Sequence, residues 1–305
     1  MRHLASTTES EAQTTADALT TRNLGRRSIL ALPLLLGSGW VSAQSDLTDL
    51  EKVRASGVLK VAVYKDNAPF SDGPVAEISG LDVSIAQALA AQMQLKLQLL
   101  PFDSGENMGD DLRNMVWRGH YLGYGPADVM MQVPADKYLM QENRQVVVVS
   151  PYMRQQTVLM HNTRQLARVD SPEDLKGVAL GAERGTGAAS ALMGNNGGML
   201  RAQVKLYKTG VQAAQGALNG EVAAAYVLRA QAEAALAADP AKAAGWQLSA
   251  LPLPGTPANG WPVGMAVKAS NKDLGAAVQR AMQTLQSNGE LLAIFKKHGL
   301  TLTAP

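Results

Sequence analysis

Cysteine is absent from the 305-residue sequence. Its absence excludes disulfide bonds, thiol catalysis, thiolate metal sites and lipid attachment through an N-terminal cysteine. Histidine is almost as scarce, and no two histidines have a metal-binding spacing such as H-x-x-x-H; they are His3, His120, His161 and His298. We therefore expect no metal ion and no cofactor.

An excess of charge of one sign is also lacking. The 28 Lys and Arg residues against 26 Asp and Glu residues leave a formal net charge of +2. This balance provides no electrostatic basis for binding nucleic acid or an anionic membrane. Hydrophobic residues make up 46% of the chain, which is enough for a sizeable core. We expect neither a nucleic-acid partner nor stable membrane insertion.

Long hydrophobic runs are missing too. The apolar segment Ile29–Leu36 is too short to span a bilayer. It follows Arg26 and Arg27 and precedes Val41-Ser42-Ala43, which has the small residues of a cleavage site. We predict that residues 1–43 are a signal peptide. The two arginines suit either a twin-arginine or a general secretory signal, and an N-terminal membrane anchor is the alternative.

The remaining sequence alternates between strand and helix patterns. Val58–Tyr64 has the apolar run of a strand, and apolar residues every fourth position from Leu81 to Met93 indicate one face of a helix. "LKLQLLPF" is a second strand, "GDDLRNMVWRGHY" a second helix and "ADVMMQV" a third strand. This order predicts a parallel sheet with crossover helices.

The pattern is interrupted at Ser150-Pro151 and then starts again. Ser171 and Pro172 in "SPEDLKG" predict a helix start, and "VALGAERGTGAASALM" reads as a strand, a glycine loop and a helix. The segment "LADPAKAAGWQLSALPLPGTPANG" is expected to be an irregular connection. Two α/β units result, with crossings expected near Ser150–Arg154 and Pro262–Ala266.

Five segments carry a family resemblance in the order in which they occur. They are "GVLKVAVYKDNAPFSD", "GLDVSIAQALAAQMQLKLQLLPF", "ADVMMQVPADK", "LKGVALGAERGTGAASAL" and "VGMAVKASNKDLGAAVQRAMQTLQSNGELLAIFKKHGL". Together they resemble periplasmic solute-binding proteins of the polar-amino-acid type (family 3, type II). The resemblance implies an α/β fold of two lobes joined by two hinge strands, with a ligand held in the cleft between them. Lobe 1 would comprise residues 44–152 and 266–305, lobe 2 residues 153–265, and the mature protein would be periplasmic.

In open α/β sheets ligands lie beyond the carboxyl ends of the strands. Three such ends carry candidate contacts, in "YKDNAPF", "QVPADK" and "GAERGTG". Glycines in the last of these let the backbone approach a ligand, and the helix start favours an anion. The candidate ligand-binding residues are Tyr64, Asn67, Gln132, Lys137, Tyr152, Arg184 and Thr186.

The resemblance also suggests the class of ligand. Lys137 stands where relatives use an arginine for the ligand carboxylate, whereas Ala223 and Leu228 stand where relatives use acids for the ligand ammonium. An ammonium group in the cleft would then be an unpaired buried charge. We therefore expect a small anionic ligand that is not an α-amino acid. A surface lysine paired with Asp136 is the alternative for Lys137.

The resemblance implies capture of a small molecule for an ABC-type permease. A narrower resemblance, in "KDNAPFSD" and "ADVMMQVPAD", is to the subgroup associated with quinoprotein (methanol) dehydrogenases, which implies an accessory role beside a dehydrogenase and a cytochrome c. In "GHYLGYGPA", Tyr121 and Tyr124 would be either a partner-facing patch or part of a loop packed on its own lobe.

Signatures of catalysis are lacking. Downstream of residue 43 there is no G-x-S-x-G, and no phosphate-binding G-x-x-x-x-G-K-[ST] motif occurs. A dehydratase-like enzyme of the same fold would need a general acid or base in the cleft, where Glu183 and Asp66 are the carboxylates that we can place. We expect a binding protein rather than an enzyme.

Overall fold

A computed structural model describes residues 47–305. The predicted signal peptide, residues 1–43, lies outside the described residues. In the described part of the chain, no helix has both the length and the apolar character needed to cross a membrane.

The first sheet is mixed and has the strand order β2-β1-β3-β10-β4. Strand β1 is parallel to β2 and β3, whereas β10 is antiparallel to β3 and β4. Its strands are β1 (Val58–Tyr64), β2 (Lys96–Phe102), β3 (Val129–Pro134), β4 (Val146–Gln155) and β10 (Trp261–Lys268). Its helices are α1 (Asp49–Ser56), α2 (Leu81–Gln92), α3 (Met108–Leu112), α4 (Lys137–Glu142), α8 (Lys272–Ser287) and α9 (Glu290–Lys297). We call this sheet with its helices lobe 1.

The second sheet is also mixed and has the order β7-β6-β8-β5-β9. Strand β6 is parallel to β7 and β8, and β5 is antiparallel to β8 and β9. Its strands are β5 (Thr157–Asn162), β6 (Leu180–Glu183), β7 (Val204–Tyr207), β8 (Ala224–Leu228) and β9 (Trp246–Ser249). Its helices are α5 (Gly187–Gly194), α6 (Gly210–Leu218) and α7 (Arg229–Ala238). We call this unit lobe 2.

The predicted α/β fold of two lobes is confirmed. Each sheet is covered on both faces, which explains why the central strands are continuous apolar runs. The chain leaves the first sheet after Gln155 and returns to it at Trp261. The lobe limits expected from the sequence, with breaks at 152/153 and 265/266, stay a prediction.

Local sequence accounts for the first elements of lobe 1. Thr48 and Glu51 form a capping box at the start of α1, and Gly57 ends that helix with φ 67°. In α2, Leu81, Ile85 and Leu89 are fully or almost fully buried on the predicted face. Each such side chain stabilises the fold by about 1.5–3 kcal/mol through burial.

The predicted interruption at Ser150-Pro151 is wrong, because β4 runs through both residues. Ser150 adopts φ 49°, and the register with β10 shifts between Val263 and Met265, so the strand bulges instead of ending. Where the chain returns from lobe 2 to lobe 1, the backbone at Gly260 lies close to the backbone at Gln155. Gly260 has φ 66°, and a side chain there would collide with the carbonyl oxygen of Gln155.

Two further expectations need correction. The helix expected at "SPEDLKG" is one 3-10 turn, Pro172–Leu175, because Lys176 is already extended and Gly177 turns the chain with φ 77°. The connection expected after α7 contains the short edge strand β9, which pairs with β5. Glycine and proline on both sides of that strand hid it, and its pairing comes from residues far away in the sequence.

Candidate ligand-binding site

A cavity of about 250 Å³ lies at the carboxyl ends of β6 and β8, beside the start of α5. All its lining residues belong to lobe 2 except Trp261, the first residue of β10. They are Thr157, Glu183, Thr186, Gly187, Ala188, Tyr226, Val227, Leu228, Gln231, Gly255, Thr256, Pro257 and Trp261. The location is the one that open α/β sheets use for ligands.

Glu183 is the one charged residue of this lining. Its Oε2 atom accepts hydrogen bonds from the Gly210 backbone N at 2.9 Å and from Gln231 Nε2 at 2.8 Å. Gln231 is held in turn, because its Oε1 accepts a hydrogen bond from the Leu228 backbone N at 3.1 Å. Within residues 47–305, Glu183 Oε1 receives no hydrogen bond. The carboxylate is therefore fixed through one oxygen, and the other oxygen is unpaired.

Thr186, a predicted ligand residue, lines the same cavity. As the N-cap of α5, its hydroxyl accepts a hydrogen bond from the Ala189 backbone N at 3.1 Å and donates one to the Glu183 carbonyl oxygen at 2.9 Å. The first residues of α5, Gly187 and Ala188, lie beside it in the lining. Thr186 thus orients the helix start toward the space that Glu183 borders.

The rest of the lining is largely apolar and includes Val227, Leu228, Pro257 and Trp261. Leu228, one of the two residues that stand where an acid was expected from the family resemblance, is part of this lining. Ala223 is not, because it lies before β8, at the other end of the strand. Glu183, which sequence reasoning mentioned only as a nearby carboxylate, is the acid of this cavity.

Gln132 and Tyr152, also predicted as ligand residues, are buried in lobe 1 around Asp82. Asp82 Oδ1 accepts hydrogen bonds from the Tyr152 hydroxyl at 2.8 Å and from Gln132 Nε2 at 3.2 Å. Gln132 Oε1 accepts one from Gln155 Nε2 at 2.9 Å. This buried group links α2, β3 and β4 close to the point where the chain crosses to lobe 2.

The Asp82 carboxyl is fully buried, and its Oδ2 atom has no hydrogen-bond partner among the described residues. Burial raises the pKa of Asp82 to about 7, against the lowering effect of the hydrogen bonds from Tyr152 and Gln132. Burial and the neighbouring Asp82 charge also raise the pKa of the Tyr152 phenol well above its ordinary value. A buried carboxyl of this kind favours its protonated form.

Tyr64 and Asn67 lie after the first strand, as expected, and neither lines the cavity. The Tyr64 hydroxyl donates a hydrogen bond to Asp111 Oδ2 at 2.7 Å, and its ring centroid lies 4.5 Å from that of Phe102. Burial, followed by the Asp111 charge, raises the pKa of Tyr64. Asn67 is part of a turn in which its backbone pairs with Ser71.

Lys137 and Arg184 are exposed and do not line the cavity either. Asp136 caps α4, since its Oδ1 accepts a hydrogen bond from the Leu139 backbone N at 2.8 Å. Lys137 makes no ion pair within residues 47–305. The assignment of all seven residues to ligand binding stays a prediction, and Thr186 is the one in contact with the cavity.

An ion pair joins the loops that follow the first strand of lobe 1 and β7 of lobe 2. Lys208 Nζ lies 3.0 Å from Asp66 Oδ2, with 56% and 63% of the two side chains exposed. Asp66 is therefore engaged with the opposite lobe rather than placed in the cavity lining. This contact connects the two lobes on the side where both sheets present their carboxyl ends.

No protein-family model matches this chain. A curated relative, the membrane-bound lytic murein transglycosylase F of Photobacterium profundum, is 39% identical over 75 residues. The match covers 24% of this chain and 13% of the relative, so it spans a small part of both.

Solved structures share the fold over most of the described chain. An ancestral cationic amino acid solute binding protein has a TM-score of 0.61 at 19% identity, covering 81% of this chain and 98% of that one. An arginine-bound amino acid ABC transporter substrate-binding protein from Streptococcus pneumoniae has a TM-score of 0.57 at 20% identity, covering 84% and 100%. An ancestral amino acid-binding protein described as a precursor of cyclohexadienyl dehydratase has a TM-score of 0.55 at 19% identity, covering 82% and 99%. The chain has the two-lobe fold of these binding proteins.

Proposed function

We propose that this protein is a periplasmic solute-binding protein that captures a small molecule and delivers it to an ABC-type permease. The observation that carries the proposal is the cavity beside Glu183, which combines a fixed polar group with an apolar wall at the carboxyl ends of the lobe 2 strands. The solved structures with this fold are named as amino-acid-binding proteins, which supports a binding role.

The charge of the ligand is a separate part of the proposal. Leu228 in the lining stands where an acid was expected for the ammonium of an α-amino acid, and the acid of the cavity, Glu183, lies on a different strand, which supports a ligand whose charged groups are arranged differently from those of an α-amino acid. Asp136 is engaged as a helix cap, which leaves Lys137 at the surface of lobe 1 available for an anionic group of the ligand. That anion would lie outside the cavity lining.

Calorimetry with a panel of metabolites tests the proposal. We expect at least one small molecule to bind with a dissociation constant of about 1 μM or tighter, which is about −8 kcal/mol. None of the twenty free amino acids should bind as tightly. A nanomolar dissociation constant for a free amino acid would contradict the proposed ligand class.

The dehydrogenase-accessory role is a second candidate, for which the exposed loop before β3 would be the docking surface. Tyr121 is 88% exposed and Leu122 68% exposed, and the His120 ring stacks on Tyr124 with centroids 4.2 Å apart. A Tyr121→Ser variant should lose co-purification with a quinoprotein dehydrogenase if this role holds. Unchanged co-purification would remove the loop as its docking surface.

The dehydratase-like alternative rests on Glu183, the carboxylate in the cavity. We propose binding without turnover. Incubation with a panel of keto and hydroxy acids should therefore leave every compound unchanged. Product formation that is lost in Glu183→Gln would establish the enzyme instead.

A further inference from the structure

We infer that the cavity beside Glu183 accepts a cationic nitrogen group, carried on a compact apolar body, and that Glu183 selects it. This inference rests on the proposed solute-binding function and names the part of the ligand that enters lobe 2. The ligand class is therefore an organic amine or guanidine whose hydrocarbon part is small.

The charge of the lining is the first step. Thirteen residues line the cavity; one is an acid and none is lysine, arginine or histidine. A ligand carboxylate or phosphate placed beside Glu183 would meet a full like charge in a partly desolvated space, which is unfavourable and exceeds the partial positive charge of about +0.5 at the start of α5. A positively charged group would instead gain an opposite charge.

The fixed position of Glu183 is the second step. Its Oε2 atom is held by the Gly210 backbone N and by Gln231, and Gln231 is held by the Leu228 backbone N. A side chain at position 210 would collide with Gln231, so the glycine permits this arrangement. The Oε1 atom has no donor within residues 47–305, although charged acceptors form the stronger hydrogen bonds. The unpaired oxygen is thus an oriented acceptor for a ligand donor.

The apolar wall is the third step. Val227, Leu228, Pro257 and Trp261 border the same space as the carboxylate. These side chains suit a hydrocarbon body, and an aromatic ring such as that of Trp261 also attracts cations. The volume of about 250 Å³ lies below the usual range of about 300–1,000 Å³ for ligand pockets, so the body is compact.

The inference is tested with three probes that share one ring: cyclohexylamine, cyclohexanol and cyclohexanecarboxylate. Binding to the wild-type protein is followed by calorimetry and by tryptophan fluorescence. We expect the amine to bind at least 30-fold more tightly than the alcohol and the carboxylate not to bind in the cavity. This comparison needs no variant, so it remains decisive if a substitution impairs folding.

Variants then identify the selecting residue. Glu183→Gln keeps an oxygen for Gly210 and Gln231 but removes the charge, and it should weaken amine binding at least 30-fold while weakening alcohol binding much less. The matched control is Glu221→Gln, an exposed acid of lobe 2 that pairs with Lys205 outside the cavity lining. Glu183→Asp should restore part of the preference for the amine.

Three outcomes overturn the inference, and each can be distinguished from a failure of the solute-binding function. Equal binding of amine and carboxylate, or amine binding that survives Glu183→Gln, removes Glu183 as the selecting group but leaves the solute-binding function intact. Failure of all three probes also overturns it, and the metabolite panel described above then decides separately whether the protein binds any solute.

Discussion

At the scale of single residues, the proposed contacts with charged groups of the ligand come from one residue on each lobe. Lys137 is exposed on lobe 1, and Glu183 is fixed in lobe 2. Thr186 could be predicted as a cavity residue because a glycine loop before a helix is visible in the sequence. The hydrogen bonds that fix Glu183 could not be predicted, because the donors Gly210 and Gln231 lie 27 and 48 positions away in the sequence. Sequence patterns identify such turns, whereas distant partners are set by the tertiary fold.

Lys137 is expected to bind an anionic group of the ligand. Lys137→Ala should weaken binding of a solute that carries an anionic group by about 10- to 100-fold, the range of a hydrogen bond to a charged group. The melting temperature without ligand should not change, because an exposed lysine contributes little to folding. Lys96→Ala, an exposed lysine at the amino end of β2, is the control for calorimetry. Equal affinities of the two variants would show that Lys137 is ordinary surface charge.

At the scale of elements, the strands β1 and β2 and the helix α2 follow from apolar runs and a four-residue repeat. The continuation of β4 through Ser150 and Pro151 was not predictable from local signals, because pairing with β10 overrides the local break. Nor was the Asp82 cluster, in which one helix and two strands bring polar side chains together inside an apolar core. Both features depend on contacts between elements.

The Asp82 cluster predicts a pH dependence of stability. The folded pKa of about 7 lies above the ordinary value of 3.8, so between these pH values the unfolded chain ionises while the folded protein keeps its proton. Stability that is present below pH ~4 is therefore lost as the pH rises toward ~7, by up to a few kcal/mol. Asp82→Asn should remove this loss in urea unfolding between pH 4 and 8. The exposed Glu106→Gln should keep it, and an identical slope in both variants would refute the role of Asp82.

The crossing at Gly260 predicts a stability difference between two glycines. Gly260→Ala would combine a left-handed backbone with a collision against the Gln155 carbonyl, so the free energy of unfolding should fall by more than ~2 kcal/mol. Gly123 has φ 85° but open space around it, and Gly123→Ala should cost about 1–2 kcal/mol from the backbone alone. Equal losses in thermal unfolding would mean that the crossing adjusts without strain.

At the scale of the whole molecule, two lobes and their order along the chain could be predicted from five segments. The contact between Asp66 and Lys208 could not, because neither residue belongs to those patterns of apolar spacing. Exposed ion pairs contribute little binding or folding energy and are screened by salt. The Asp66→Asn variant, which loses this ion pair, should therefore bind the ligand less than about five-fold more weakly, and mainly at low salt. Glu221→Gln breaks a pair within lobe 2 and serves as the control in titrations at two salt concentrations. A larger loss that persists at high salt would mean that Asp66 contacts the ligand.

We propose that the solute binds in the cavity beside Glu183. The most direct test is calorimetry of the best-binding metabolite with Ala188→Trp, which places a large side chain at the cavity lining near the start of α5. We expect at least a 100-fold loss of affinity, while the far-ultraviolet circular dichroism spectrum and cooperative unfolding are retained. An unchanged dissociation constant in the folded variant would show that the solute binds elsewhere and would contradict the claim.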